Sequence, residues 1–498
     1  MMIRANRATL TLLVALGLGL TWDLLFYDKA LGISLPLFVF LLVGALFGIG
    51  RLEGQMPNWR GLWLLVPLFF FAIMVFIRAN ALLSYLNVVA CLMLLGFTYH
   101  FYASGSVERL GLLGYPALLL QIGLDTLVRP APVVSASVDL GAARVQSRRG
   151  LLPLVRGTAL AVPVLAVFTL FLAAADPVFA NYVADVFRLD YLSDLLEWIW
   201  RGAIVLAVAW AVVGSLAYAV NRRPEASVEN TFGKLFGISR SFASLGFAEA
   251  AIVLISVNLL FLAFVWIQFT YLFGGQANVT IEGYTYAEYA RRGFFELLGV
   301  AVLALLMILS LHELTRRETD RKELAFGGLI SAMIALVLVI LASAFQRLLL
   351  YEDAFGYTQL RLYSHVFMIW LGFAFIWFWM VSLLRTDRFA LGAFLAALGF
   401  LITLNTVNPD SFIAERNLAR YRTTGKLDLA YLTTLSDDAV PTLVRFEGQL
   451  TDEDQWFLGD HLRRRLERLK SDGSWQSWPS FHLSRQRAHD LLVERQAD

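Results

Sequence analysis

Long apolar runs separated by short polar stretches fill the first 407 residues, and the pattern changes abruptly after that point. A helix needs about 20 apolar residues to cross a hydrocarbon core, because lipid cannot satisfy exposed backbone N–H and C=O groups. Eleven runs meet that requirement, near residues 8–26, 32–50, 61–77, 81–102, 153–173, 199–220, 248–272, 294–312, 325–344, 363–384 and 389–407. Each predicts a membrane-spanning helix. Arg4 and Arg7 ahead of the first run look like the start of a signal peptide, but no small-x-small cleavage site precedes Trp22 and Asp23, so the run is expected to remain as an anchor.

Residues 110–128 are long enough to span, yet they contain Pro116, Gln121 and Asp125 and lead into Arg129, Pro130 and Pro132. Arginine placement decides between crossing and not crossing, since Lys and Arg collect on the cytoplasmic side. With this segment held on the inner face and the N-terminus inside, inner segments carry 20 Lys/Arg and outer segments before residue 408 carry 8. Letting it cross would move Arg4, Arg7, Arg51 and Arg60 outside. It is therefore expected to be an interfacial or re-entrant helix. An odd number of spans then places residues 408–498 on the extracytoplasmic side, with 13 Lys/Arg against 15 Asp/Glu. Pro409, Gly425, Asp428, Ser436, the Thr451/Asp454 pair and Ser484 are start and stop signals for a series of short helices. The expected fold is all-α: a polytopic transmembrane helix bundle over 1–407 with a small helical soluble tail over 408–498.

Composition agrees with that picture and narrows the classes. Hydrophobic residues make up 58% and charged residues only 16%, with a mean hydropathy of +0.64, whereas globular chains carry about 25% charged residues. A soluble enzyme, a disulfide scaffold and a disordered chain are all excluded as readings. The net charge of +2 lacks the basic excess that nucleic-acid binding needs, so the lipid bilayer is the expected partner. Cys91, the single cysteine, lies in an apolar run and reads as a small core residue. The 36 arginines against 5 lysines suggest a bacterial source, and hence the bacterial cytoplasmic membrane.

Ionisable groups in or beside spans carry the candidate chemistry, because they are expensive in lipid and must be paired or wet. Glu288, Arg292 and Glu296 recur at helical spacing in YTYAEYARRGFFEL and would form one charged stripe. The stripe fits a substrate or ion path; it also fits an interfacial helix with snorkelling arginines and a tyrosine belt. A second set, Asp176, Asp185, Asp190, Asp194 and Glu197, makes the loop between 176 and 201 the most acidic. It fits a cation site, or an amphipathic helix on the outer leaflet anchored by Trp198 and Trp200. Asn80, Asn87, Glu249, Asn258, Gln268, Arg347 and His365 are further polar residues in spans, where a lone Asn usually makes an interhelical hydrogen bond. His312 and Glu313 begin like a zinc-protease helix, but Arg316 takes the place of the second histidine. His482 and His489 are seven apart without a carboxylate at ligand spacing. No glycine-rich phosphate loop, GxSxG elbow or kinase signature occurs. No metal, cofactor or catalytic residue is expected.

Four stretches, LGISLPLF at 31–38, AADPVF at 174–179, YAEYARRGFFEL at 286–297 and NPDSFIAERNLARYRTTGKLDLAYLTTLSDDAVPTL at 408–443, resemble a bacterial family of multi-pass membrane proteins known as domain of unknown function 4173. The resemblance implies residence in the cytoplasmic membrane and supplies no activity. It directs attention to the junction of the last span and the tail. There Ile413, Asn417 and Tyr421 share one helical face, Arg416 and Arg420 another, and Asp410 and Glu415 are near enough to pair with the arginines. This surface is expected to dock the outer loops or to face a partner, such as another envelope protein. A non-enzymatic sensing or scaffolding protein is the first functional expectation; a transporter or flippase using Glu288, Arg292 and Glu296 is the second, and an envelope- or lipid-acting enzyme the third.

Overall fold

The structure, a computed structural model, describes residues 2–111, 114–137, 172, 176, 190–221, 245–273, 294–316, 319–384 and 388–497. Every regular element among them is helical, with only an isolated parallel bridge between Leu245 and Thr315. The membrane part comprises α1 (Met2–Phe26), α2 (Ser34–Leu52), α3 (Leu65–Ile77) after a 3-10 turn at Trp59–Leu64, α4 (Ala81–His100), α5 (Gly114–Val128), α6 (Pro130–Ser137), α7 (Asp190–Asn221), α8 (Phe247–Phe273), α9 (Phe294–Leu314), α10 (Asp320–Phe355), α11 (Gln359–Leu383) and α12 (Phe389–Val407). The tail adds α13 (Pro409–Thr424), α14 (Leu429–Thr433), α15 (Val440–Phe446), α16 (Asp452–Ser471) and α17 (Leu483–Ala497).

Eleven described helical segments are long and apolar enough to cross a membrane. Ten coincide with runs seen in the sequence; the eleventh is Gly114–Val134, and the run at 153–173 lies outside the described residues. Helices alternate in direction between the end where α12 meets the tail, here the tail end, and the far end. Arg7 of α1 meets Glu53 beyond α2 at 3.4 Å at the far end. α5 begins there too. Tyr115 donates to the Val107 carbonyl and packs on Phe97 near the close of α4. At its other end Arg129 lies 5.0 Å from the Tyr218 ring, whose hydroxyl is 2.5 Å from His100 Nδ1. Gly214 allows the crossing, because any Cβ there would collide with the Thr126 carbonyl.

Packing divides the apolar interior into three clusters. One joins α1, α2 and α7 through Ala15, Leu46, Val213 and Leu216. A second joins α8, α9, α10 and α11 through Leu254, Ala301, Met333 and Phe375. The third is continuous from the bundle into the tail: Leu68, Phe71 and Leu83 share it with Ile413, Leu432, Leu443, Leu462 and Ala488. Each buried side chain of this kind adds roughly 1.5–3 kcal/mol relative to exposure, so the tail is packed onto the bundle and not tethered beside it. On the α11–α12 hairpin, the Trp370 and Trp377 rings lie against Gly399 and Gly392, whose hydrogens leave no room for a methyl group. Trp370 also donates to Thr403 Oγ1 at 3.0 Å.

Asp190, Asp194 and Glu197 sit on α7 rather than in a loop. That helix is continuous for 32 residues and rises about 48 Å at 1.5 Å per residue. It overshoots a hydrocarbon core of about 30 Å, so its first turns project at the tail end. Arg201 fixes that end through a bidentate pair with Asp23 of α1, at 3.1 and 2.6 Å. The Tyr27 and Trp198 rings flank its guanidinium at 4.6 and 4.9 Å.

Candidate functional site

Where α12 ends, Asn408 adopts a left-handed conformation (φ 56°) and Pro409 opens α13 at its first position. This tight reversal brings Asp410 into the first helical turn, directly above the span ends and at the positive end of the α13 dipole. Asp410 is fully buried. Its Oδ1 accepts from Asn80 Nδ2 at 3.2 Å and Gln359 Nε2 at 2.6 Å; its Oδ2 accepts from Asn80 Nδ2 at 3.1 Å and the Ser436 amide at 3.0 Å. One carboxylate thus holds the α3–α4 turn, the start of α11 and the tail loop after α14. Neutral donors and a helix terminus stabilise it; no cation among the described residues pairs with it.

Two further layers flank this hub. On the bundle side Asn87 and Asn405 exchange reciprocal amide bonds at 2.9 and 2.8 Å, both buried. Arg78 Nε donates to the Asn405 carbonyl at 2.9 Å. On the tail side Asp438 accepts from the Ala79 amide at 2.8 Å and from Ser484 Oγ at 2.7 Å. Burial pushes the Asp438 carboxyl above the usual range, against the pull of the Ser484 hydroxyl and nearby Arg78. His482 lies between the Arg78 carbonyl, 3.2 Å from Nε2, and the Arg485 amide, 3.4 Å from Nδ1. An acceptor on one side and a donor on the other select the neutral Nε2–H tautomer. Burial, with Arg485 alongside, depresses this imidazole to about 4. Ser484, expected as a helix cap, is turned to Asp438 instead, and His482 receives the α17 amide.

The tail also grips the α10–α11 loop. Asn417 brackets Tyr357, accepting from its amide and donating to its carbonyl, both at 2.8 Å. Arg420 donates to the Asp353 and Ala354 carbonyls at 2.9 and 2.6 Å, satisfying acceptors that the last turn of α10 leaves open. Within the tail, Arg465 gathers the Thr433, Leu435 and Ser436 carbonyls, and Arg495 pairs with Glu447 through two 2.6 Å contacts. Asp410, Asn417 and Arg420 therefore turn inward. Tyr421 packs partly against the core, whereas Glu415 and Arg416 are exposed, the Arg416 guanidinium 5.2 Å from the Phe412 ring.

The other sequence candidates are not assembled into one site by the described residues. Glu296 is exposed on the first turn of α9, while Glu288 and Arg292 lie outside the described residues. Asp176 and Glu197 are exposed; Asp185 and the side chains of Asp190 and Asp194 lie outside the description. Sequence reading singled out His365 on α11 but missed its buried partner Glu352 on α10. Glu352 Oε1 is 3.1 Å from His365 Nδ1, while the buried Glu352 Oε2 and His365 Nε2 have no hydrogen-bond partner among the described residues. Five residues before Glu352 on α10, Arg347 donates to Gln268 of α8 at 2.9 Å.

Fold and seam together define a polytopic α-helical membrane protein capped by a helical tail. Its residues 65–446 match the domain of unknown function DUF4153, and the chain belongs to that family. The number corrects the resemblance to domain 4173. The matched region opens at the first residue of α3 and closes at the last of α15, so Asp410 and all its donors fall inside it, whereas α1, α2, α16 and α17 do not. No curated protein and no solved structure matches the chain.

Proposed function

We propose that the protein is a non-enzymatic sensing or scaffolding component of the bacterial cytoplasmic membrane, with its N-terminus in the cytoplasm and its tail on the extracytoplasmic side. The Asp410 hub carries the reading: a load on the tail is passed through one carboxylate to α4, α11 and α12 at once. A tail meant only to be displayed would need no such connection. The orientation rests on arginine distribution, with the far end taking the cytoplasmic position. Reporter fusions after residues 150 and 407 test it. The expected signals are cytoplasmic after 150 and extracytoplasmic after 407, and a cytoplasmic signal after 407 overturns the outer cap.

Transport is the second reading, favoured by the buried Glu352–His365 pair, two of whose polar atoms find no partner among the described residues, on a helix that also carries the Arg347–Gln268 contact. Such groups inside a membrane bundle ordinarily mark an ion or proton pathway. Proteoliposomes carrying an imposed pH gradient separate the readings. A gradient that decays only with wild-type protein, and not with Glu352→Gln, selects transport and overturns the scaffold; equal retention by both supports the scaffold.

A further inference from the structure

The tail touches the membrane part at a second place, away from the Asp410 hub. Its segment 474–481 runs along the α1–α2 turn: the Ala30 amide donates to the Ser474 carbonyl at 3.5 Å and the Ile33 amide to the Phe481 carbonyl at 3.0 Å. Gly32 permits this approach, since a Cβ would meet the Ser480 and Phe481 backbone at 2.5 Å. The depth of the contact follows from α2. Its 19 residues rise about 28 Å, barely the hydrocarbon thickness of about 30 Å. Neither end of α2 can stand clear of the membrane, so Ile33, one residue before it begins, marks the boundary between acyl chains and headgroups. Phe481 is hydrogen-bonded at that level.

Two aromatic side chains project outward there. Trp478 is 61% exposed and Phe481 38%, next to Leu31 at 47%. Trp475, three residues away, behaves differently: it is buried and its indole donates to the Leu469 carbonyl at 2.9 Å. No protein acceptor among the described residues takes the Trp478 N–H. Exposed apolar rings with one unpaired donor suit the headgroup layer, where the ring meets upper acyl carbons and the N–H meets ester or phosphate oxygens. The patch is also continuous with the lipid-facing surface of α1 and α2, where Leu24, Leu37 and Phe40 are exposed.

We propose that Trp478 and Phe481, with Leu31, form a lipid-binding patch that seats the tail in the headgroup layer of the leaflet at the tail end. The occupant is the surrounding bilayer. The test places a polarity-sensitive fluorophore on Trp478→Cys in full-length protein in phosphatidylcholine nanodiscs, with Cys91 left in place because it is buried. Gln476→Cys, two residues away and exposed, serves if Trp478→Cys does not fold; Glu494→Cys on α17 is the aqueous reference. The expected result is severalfold stronger quenching by headgroup nitroxide lipid than at 494, with severalfold weaker quenching by iodide. Iodide quenching equal to that at 494 overturns the proposal. A probe shielded from both quenchers also overturns it, because a protein surface would then be the occupant.

Discussion

Replacing Asp410 by Asn keeps the shape of the side chain and removes its charge, so the consequence follows from the four contacts made by its three donors. Two of the contacts end on Oδ1 and two on Oδ2; Asn80 cannot turn to accept without giving up the Leu83 amide that its Oδ1 takes at 3.0 Å, and the Ser436 donor is backbone, which leaves the Gln359 amide as the one group free to turn. Whichever oxygen becomes NH2 faces two donors. A buried donor left unpaired costs about 1–3 kcal/mol, and the lost bonds are charge-assisted; easing of the carboxylate's own burial offsets part of this, leaving about 3 kcal/mol. The loss falls on tail docking. Thermal unfolding in detergent, with trypsin cleavage at Arg422 and Lys426 as the local readout, measures it. Asp410→Asn is expected to unfold earlier and to be cut faster at both sites. Unfolding within about 0.5 kcal/mol of wild type, the range of a surface change, with unchanged cleavage, would refute the hub.

The Asn87–Asn405 pair offers a double-mutant cycle: each single Leu substitution strands an amide, while the double substitution removes both, so a coupling of about 1–2 kcal/mol is expected in unfolding measurements, and simple additivity would contradict the pair. For His482, the unfolded imidazole titrates near 6.5 and the folded one at about 4, so the unfolded state takes the proton first and stability falls as pH drops through that window, by about 3 kcal/mol over the whole interval. Asp438 acts oppositely: its raised pKa lets the folded state take the proton first, so acidification through that value restores stability. His482→Gln is expected to flatten the decline between pH 7 and pH 5, and a variant that keeps the wild-type slope would show the imidazole is not its source. Gly399→Ala forces a methyl group against the Trp370 ring and is expected to cost about 1–3 kcal/mol of bundle stability; an unchanged melting temperature would mean that the hairpin relaxes freely.

Hydrophobic run length was enough to reveal the bundle, since a span is a one-dimensional constraint that needs no knowledge of its neighbours. Local capping was equally visible: Gly425 closes α13, Asp428 caps α14 and Thr451 caps α16, each through a bond made within three or four residues. Asp410 was singled out from the same helical spacing, but its role was not, because its partners are 330, 51 and 26 positions away. Asp410 was expected near the arginines of its own helix, and the fold turned it to the other side. The Trp–Gly contacts of α11 and α12 repeat every seven residues on both helices, a signal present in the sequence that gains meaning only once the two are known to pair. Asp23 and Arg201 fall near the ends of the 8–26 and 199–220 runs, yet nothing local connects them.

That last pair bears on how the chain is made. Asp23 emerges 178 residues ahead of Arg201, and at about 5–20 residues per second the interval is about 9–36 s. During it α1 carries a carboxylate at the edge of the lipid with no counter-ion and lacks α7, the helix it packs against most closely. The nascent protein therefore passes through a stage in which its first helices must be sheltered by the insertion machinery or by one another. Premature termination anywhere before residue 201 leaves an anchor that cannot be completed, a product that membrane quality control is equipped to remove.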